Sequence, residues 1–157
     1  MQSKATVKPM SLYDSDYQLW LDQTVAQLRS QDFGNLDLEN LIEEIESLGK
    51  SDKRALSSYL MRLCEHLLKL KYWESERNAC FRGWVLEINN FRSEIELLLE
   101  DSPSLKHFLE ESFLSAYQKS RKNLLKVMPL PQDLVPQESS FTLEQALDED
   151  WLPWQPD

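Results

Sequence analysis

The chain has 157 residues, with 17 Lys+Arg against 27 Asp+Glu, a formal net charge of -10, only 3 Gly and 7 Pro. One domain is the default at this length, and so few glycines exclude a hairpin-rich β protein, which needs many positive-φ positions. The acidic balance repels phosphate backbones and argues against nucleic acid as a partner, and no apolar run is long enough to cross a bilayer.

Cys64 and Cys80 are the only thiols and are not spaced as CxxC. Two cysteines do not staple a domain of this size, and the first twelve residues contain no signal-like apolar stretch, so the sequence predicts a cytoplasmic protein with reduced, packed thiols. Charge is uneven along the chain. Residues 50–92 hold nine Lys/Arg against five acids, whereas nothing after Lys126 is basic and that segment is formally -7.

In chain order, residues 1–12 read as a disordered N-terminus. The first helix starts near Asp14–Asp16, either of which can cap it, and Tyr17, Trp20, Leu21, Thr24, Val25 and Leu28 form one apolar stripe. Asp32, Phe33 and Gly34 read as its exit. A second helix opens at Asp37, with Leu38, Leu41, Ile42, Ile45 and Leu48 as its buried face and Gly49 as a left-handed C-terminal cap. A third restarts at Ser51 or Asp52, its seam formed by Leu56, Leu60, Leu63, Leu67 and Leu70, with Tyr59, His66 and Trp73 on the flank. Glu74 to Ala79 reads as a loop. The fourth helix carries Trp84, Ile88, Phe91, Ile95 and Leu98 and stops at Asp101–Ser102; Ser102 and Pro103 then cap and open the fifth, which bears Leu105, Leu109, Phe113, Tyr117 and Leu124.

Pro129, Pro131 and Pro136 impose an extended tail, and Thr142 with Gln145 predicts a capping box on a short helix. Trp151 and Trp154 are the tail-docking candidates, because a free tail seldom carries two tryptophans. The predicted architecture is all-α: an up-and-down type bundle of about five helices over residues 13–127, with a Pro-rich acidic tail, 128–157, packed on it.

Candidate chemistry is sparse. Glu39, Glu43, Glu44 and Glu46 cluster on one helix, yet no His lies three residues after a Glu, as the carboxylate di-iron bundles require. No zinc spacing, Gly-rich phosphate loop or nucleophile motif occurs, so no metal or cofactor is predicted. Placed at 100° per residue, Glu43 points away from the apolar stripe and Glu44 lies at its edge. Glu44, His66 and Arg92, each at the border of a helix stripe, are the candidates for one polar cluster: a register lock, or an active site if it opens into a pocket.

The blocks Tyr13-Asp14-Ser15-Asp16 with Trp20, Leu36-Asp37-Leu38-Glu39-Asn40-Leu41-Ile42-Glu43-Glu44-Ile45-Glu46-Ser47-Leu48-Gly49, His66-Leu67-Leu68-Lys69, Trp84 with Ile88 and Arg92, Ser102-Pro103-Ser104-Leu105 and Ala116-Tyr117 follow one another in order. This string resembles domain of unknown function 29, a family of small helical bacterial proteins common in cyanobacteria, over about residues 11–154. The resemblance implies an all-helical fold and no established activity, substrate or cofactor. Where that family tends to carry a Phe-Pro…Cys-Pro stretch, this chain reads Val135-Pro136-Gln137-Glu138-Ser139-Ser140, so a thiol role there does not carry over to Ser139.

The sequence thus points to a non-enzymatic cytoplasmic bundle that binds another protein or itself, without nucleic acid or membrane. Its rival is an enzyme or metal-binding protein built on Glu44, His66 and Arg92.

Overall fold

The computed structural model describes residues 10–157, and these are all-α, with no strand among them. Six helices follow in order: α1 Leu12–Ser15, α2 Tyr17–Arg29, α3 Leu38–Tyr72, α4 Glu74–Asp101, α5 Leu105–Leu125 and α6 Leu143–Leu147. No helix among the described residues is long and apolar enough to cross a membrane. The chain divides into two units, Met1–Gly49 and Lys50–Asp157, and α3 contributes to both.

In the first unit, the Ser11 hydroxyl accepts the Asp14 N–H at 3.2 Å and so caps α1. The Asp16 carboxylate accepts the Leu19 N–H at 3.0 Å and caps α2. Each oxygen satisfies an N–H that the first helical turn leaves without a partner. The predicted disorder of residues 1–12 lies outside the described residues up to position 9, whereas Ser11 and Leu12 already belong to this capped turn. The reversal after α2 includes the expected exit at Asp32, Phe33 and Gly34, although no glycine there takes a positive φ. Gln31 takes the left-handed conformation, at φ 60°, while Phe33–Asn35 form a short 3-10 turn.

The predicted break between second and third helices is absent. Residues 38–72 form one helix of 35 residues, in which Gly49 has no positive φ and caps nothing. A glycine inside a helix costs only about 1 kcal/mol relative to alanine, too little to end a helix whose later turns are held by burial.

The second unit is built on the later part of α3 together with α4 and α5. Leu56, Leu60, Leu63 and Leu67 of α3 share a buried core with Ile88 and Ile95 of α4 and with Leu109, Tyr117 and Leu124 of α5. The Ser120 hydroxyl, fully buried, lies 2.5 Å from the Met61 carbonyl and 2.7 Å from that of Ala116, a polar link between α5 and α3. Two boundaries differ from the sequence reading. Glu74–Ala79 is helical and only Trp73 interrupts the chain before α4; Glu74 and Glu76 suit the positive end of that helix, and the Arg77 guanidinium donates to the Lys71 carbonyl at 3.2 Å near the end of α3. Ser102 ends α4 rather than capping α5, which begins after Ser104 without a side-chain cap.

The tail closes this unit. The expected box is formed: Thr142 Oγ1 accepts the Gln145 N–H at 3.1 Å and Gln145 Oε1 accepts the Thr142 N–H at 3.0 Å. Val135, Phe141 and Ala146 of the tail are buried in the same core as α3–α5.

A Gly49→Ala exchange separates a mid-helix glycine from a capping one. A methyl group there meets nothing within 4 Å. The expected outcome is a gain of about 0.5–1 kcal/mol, read as a raised thermal midpoint by circular dichroism; a left-handed cap would instead give a loss of similar size.

Candidate functional site

Three aromatic rings and three polar side chains hold the first unit together. Tyr13, Tyr17 and Trp20 pack on one another, with Tyr13 and Trp20 edge-to-face at 4.9 Å between centroids and Tyr17 stacked with Trp20 at 5.9 Å. The α3 side of the contact is polar. Tyr13 donates to Glu44 Oε1 at 2.5 Å and Tyr17 to Glu44 Oε2 at 2.7 Å, so each carboxylate oxygen accepts one phenol. One turn and more upstream, Asp37 Oδ2 accepts both the Trp20 indole N–H at 3.1 Å and the Asn40 amide at 2.7 Å.

This clasp has an electrostatic signature. The two phenol hydrogen bonds, Tyr13's first, stabilise the carboxylate and hold Glu44 below its ordinary value of 4.5. Conversely, the bond to Glu44 pushes Tyr13 up to about 12 and raises Tyr17 as well. Asp37 is lowered chiefly by its bond from Asn40.

Asp37, Asn40 and Glu44 meet Tyr13, Tyr17 and Trp20, and the apolar residues of this segment are left largely outside. Leu38, Ile42, Ile45 and Leu48 are 59%, 49%, 61% and 68% exposed, and only Leu41 is half-buried. The predicted buried face of this segment is therefore its exposed face. At 100° per residue Asp37, Asn40 and Glu44 stand together on a side away from Leu38, Ile42 and Ile45, whereas Leu48 lies within about 40° of Glu44, one turn beyond it. Tyr17, Val25 and Leu28 of α2, predicted as part of a buried stripe, are likewise exposed, and Trp20 and Thr24 are the residues of α2 that are buried.

The other sequence candidates lie in the second unit, with partners of their own. His66 Nδ1 donates to the Arg62 carbonyl one turn earlier at 2.9 Å, and its ring lies 5.7 Å from that of Phe91. Burial is the main cause that lowers its pKa. Arg92, 6% exposed, donates from Nε to the Ala146 carbonyl and from an Nη to the Trp151 carbonyl, both at 2.8 Å. Its longer contacts, at 3.5 Å, reach the carbonyls of Gln145 and Glu149. No hydrogen bond among the described residues joins Glu44, His66 and Arg92 to one another. Cys64 is buried, and burial pushes its thiol up to about 12, far from a reactive thiolate.

Arg92 is one of three helix residues that grip the tail by its main chain. The Tyr117 phenol donates to the Pro136 carbonyl at 2.8 Å, and the Arg121 guanidinium to those of Val135 at 2.7 Å and Gln132 at 2.9 Å. Apolar contacts complete the seam. Phe141 is packed by Phe113, Tyr117 and Trp151, while Trp154 sits edge-on to Phe81 with the Arg77 guanidinium 4.3 Å from its ring centre. Beside Arg92 runs a groove of about 940 Å³ between α4 and the tail, lined by Glu96, Glu100, Asp148, Glu149 and Asp150 among others. No grouping of three or more His, Cys, Asp or Glu among the described residues has the geometry to hold a metal ion.

The phenol–carboxylate clasp and the exposed Leu/Ile stripe were both missed by sequence reasoning. The signal available was the placement of Asp37, Asn40 and Glu44 on one side of the helix, facing a Tyr-x3-Tyr-x2-Trp run with its own helical spacing.

The described residues are all-helical in both units, and the hydrogen bonds of Glu44 and Arg92 are made to the chain's own elements. A family model, Domain of unknown function DUF29, matches residues 12–152, nearly the whole length, and the chain belongs to that family. No curated protein matches it, and neither does a solved structure.

Two outcomes follow from these geometries. The clasp needs an ionised Glu44 and neutral phenols, so its stabilisation is complete between pH 4.5 and 10.0, fades as pH falls through the depressed Glu44 value and is lost at the other end as pH rises through about 12. A Glu44→Gln exchange should bring the Tyr13 ionisation down toward 10.0, read as tyrosinate absorbance in an alkaline titration. Replacing Arg92 by Met keeps the apolar stem but orphans the Ala146 and Trp151 carbonyls; the expected loss is about 2–4 kcal/mol in urea unfolding, with faster proteolysis after Lys126.

Proposed function

We propose that this protein is a non-enzymatic, cytoplasmic binding module that docks another protein on the exposed face of its first unit. The observation that carries the reading is the Leu38–Ile42–Ile45–Leu48 stripe. Folded monomers scatter single apolar residues over their surfaces, but contiguous apolar patches mark interaction sites. Each such side chain gains about 1.5–3 kcal/mol when covered. The clasp to Glu44 supports the reading further, because it holds Glu44 against α1 and α2 and so turns Leu38, Ile42 and Ile45 outward. Free thiols at Cys64 and Cys80 accord with a reducing compartment.

A photo-crosslinking amino acid at Ile45 of the full chain, irradiated in a lysate of the source cells, should give one discrete protein adduct. The same residue at exposed Gln18 on α2 should not give it. No adduct at Ile45, or the same adduct from both positions, would overturn the proposal.

A further inference from the structure

Resting on that reading, we infer that the partner presented to this stripe is a basic amphipathic helix. Three features of the first unit select this chemistry. The first is shape. Leu38, Ile42 and Ile45 fall within about 60° of one another around α3, with Leu48 adjoining one turn on, which makes a narrow ridge suited to the groove of a second helix. The second is the border of that ridge. Glu39 and Glu46 lie along one side, both exposed and neither engaged in a hydrogen bond or ion pair among the described residues. Glu44, on the opposite side, is occupied by Tyr13 and Tyr17 and takes no part in recognition.

The third is the charge of the whole unit. Residues 1–49 hold nine Asp/Glu against three basic residues, Lys4, Lys8 and Arg29, a formal -6. A symmetric contact of this unit with the same unit of a second copy would bring the same negative field against itself, and an anionic lipid surface or nucleic acid would be repelled in the same way. A helix with apolar residues at three- and four-residue spacing and Lys or Arg alongside meets both the ridge and the Glu39/Glu46 border.

The test uses the full-length protein and synthetic helices of about 18 residues, five turns, titrated by calorimetry. One peptide combines Leu with Lys at helical spacing; a second carries Glu at every Lys position; a third scrambles the first. The Leu/Lys helix should bind at least about tenfold more tightly than either control. Its affinity should fall about tenfold in an Ile42→Ser/Ile45→Ser variant, and its salt dependence should flatten in Glu39→Gln/Glu46→Gln, which touches no internal contact. Equal binding of the Leu/Glu helix, or undiminished binding to the Ile42/Ile45 variant with its helicity intact, would overturn the inference. So would sedimentation showing a dimer that the Ile42/Ile45 exchange dissociates. A crosslinked partner at Ile45 lacking any basic helix would sink this inference while leaving the binding role in place.

Discussion

A single carboxylate, Glu44, decides which way the first part of α3 faces. It accepts one phenol on each oxygen, and the bonds from Tyr13 and Tyr17 draw the polar side of the helix against α1 and α2. Hydrogen bonds to a charged acceptor are shorter and stronger than those between neutral groups. Aromatic packing among Tyr13, Tyr17 and Trp20 supplies the apolar area that the Leu/Ile residues of α3 do not. The exposed stripe is thus the complement of a well-made polar contact.

The second unit solves a different problem with related chemistry. Its helices bury a continuous leucine-rich core, and the chain after Lys126 is added to that core by donors on α4 and α5. Arg92 sits deep enough that desolvation lowers its pKa, opposed by the nearby negative charge of Asp148 and Glu149. A guanidinium in that position is tolerated because carbonyl oxygens occupy its N–H groups.

Much of this was legible in the sequence, and what was not failed for identifiable reasons. The stripe Leu56–Leu60–Leu63–Leu67–Leu70, the Pro103 boundary and the Thr142/Gln145 box all rest on local rules and read correctly to within a few residues. Gly49 misled because a conformational preference of about 1 kcal/mol was read as a terminus, when the flanking turns outweighed it. Glu74–Ala79 misled because a polar first turn looks like a loop until its dipole partner is recognised. The deepest error concerned Leu38, Ile42, Ile45 and Leu48, since periodicity identifies a face without saying what lies against it. Arg92 answers to backbone carbonyls 54 and 59 residues away, and no residue-type pattern encodes such an acceptor.

Anchorage through main-chain carbonyls leaves much of the tail free to vary. Donors that read main-chain carbonyls are blind to the side chains attached to them. Apart from its packed apolar residues, Met128, Val135, Phe141, Ala146, the leucines and the tryptophans, and the Ser140 hydroxyl that meets Tyr72, the tail is anchored by its course. Its acidic positions, such as Glu138, Asp150 and Asp157, are open to wholesale replacement with no loss of anchorage. The segment can therefore drift in sequence, or be rewritten by design, while keeping its path across the helices.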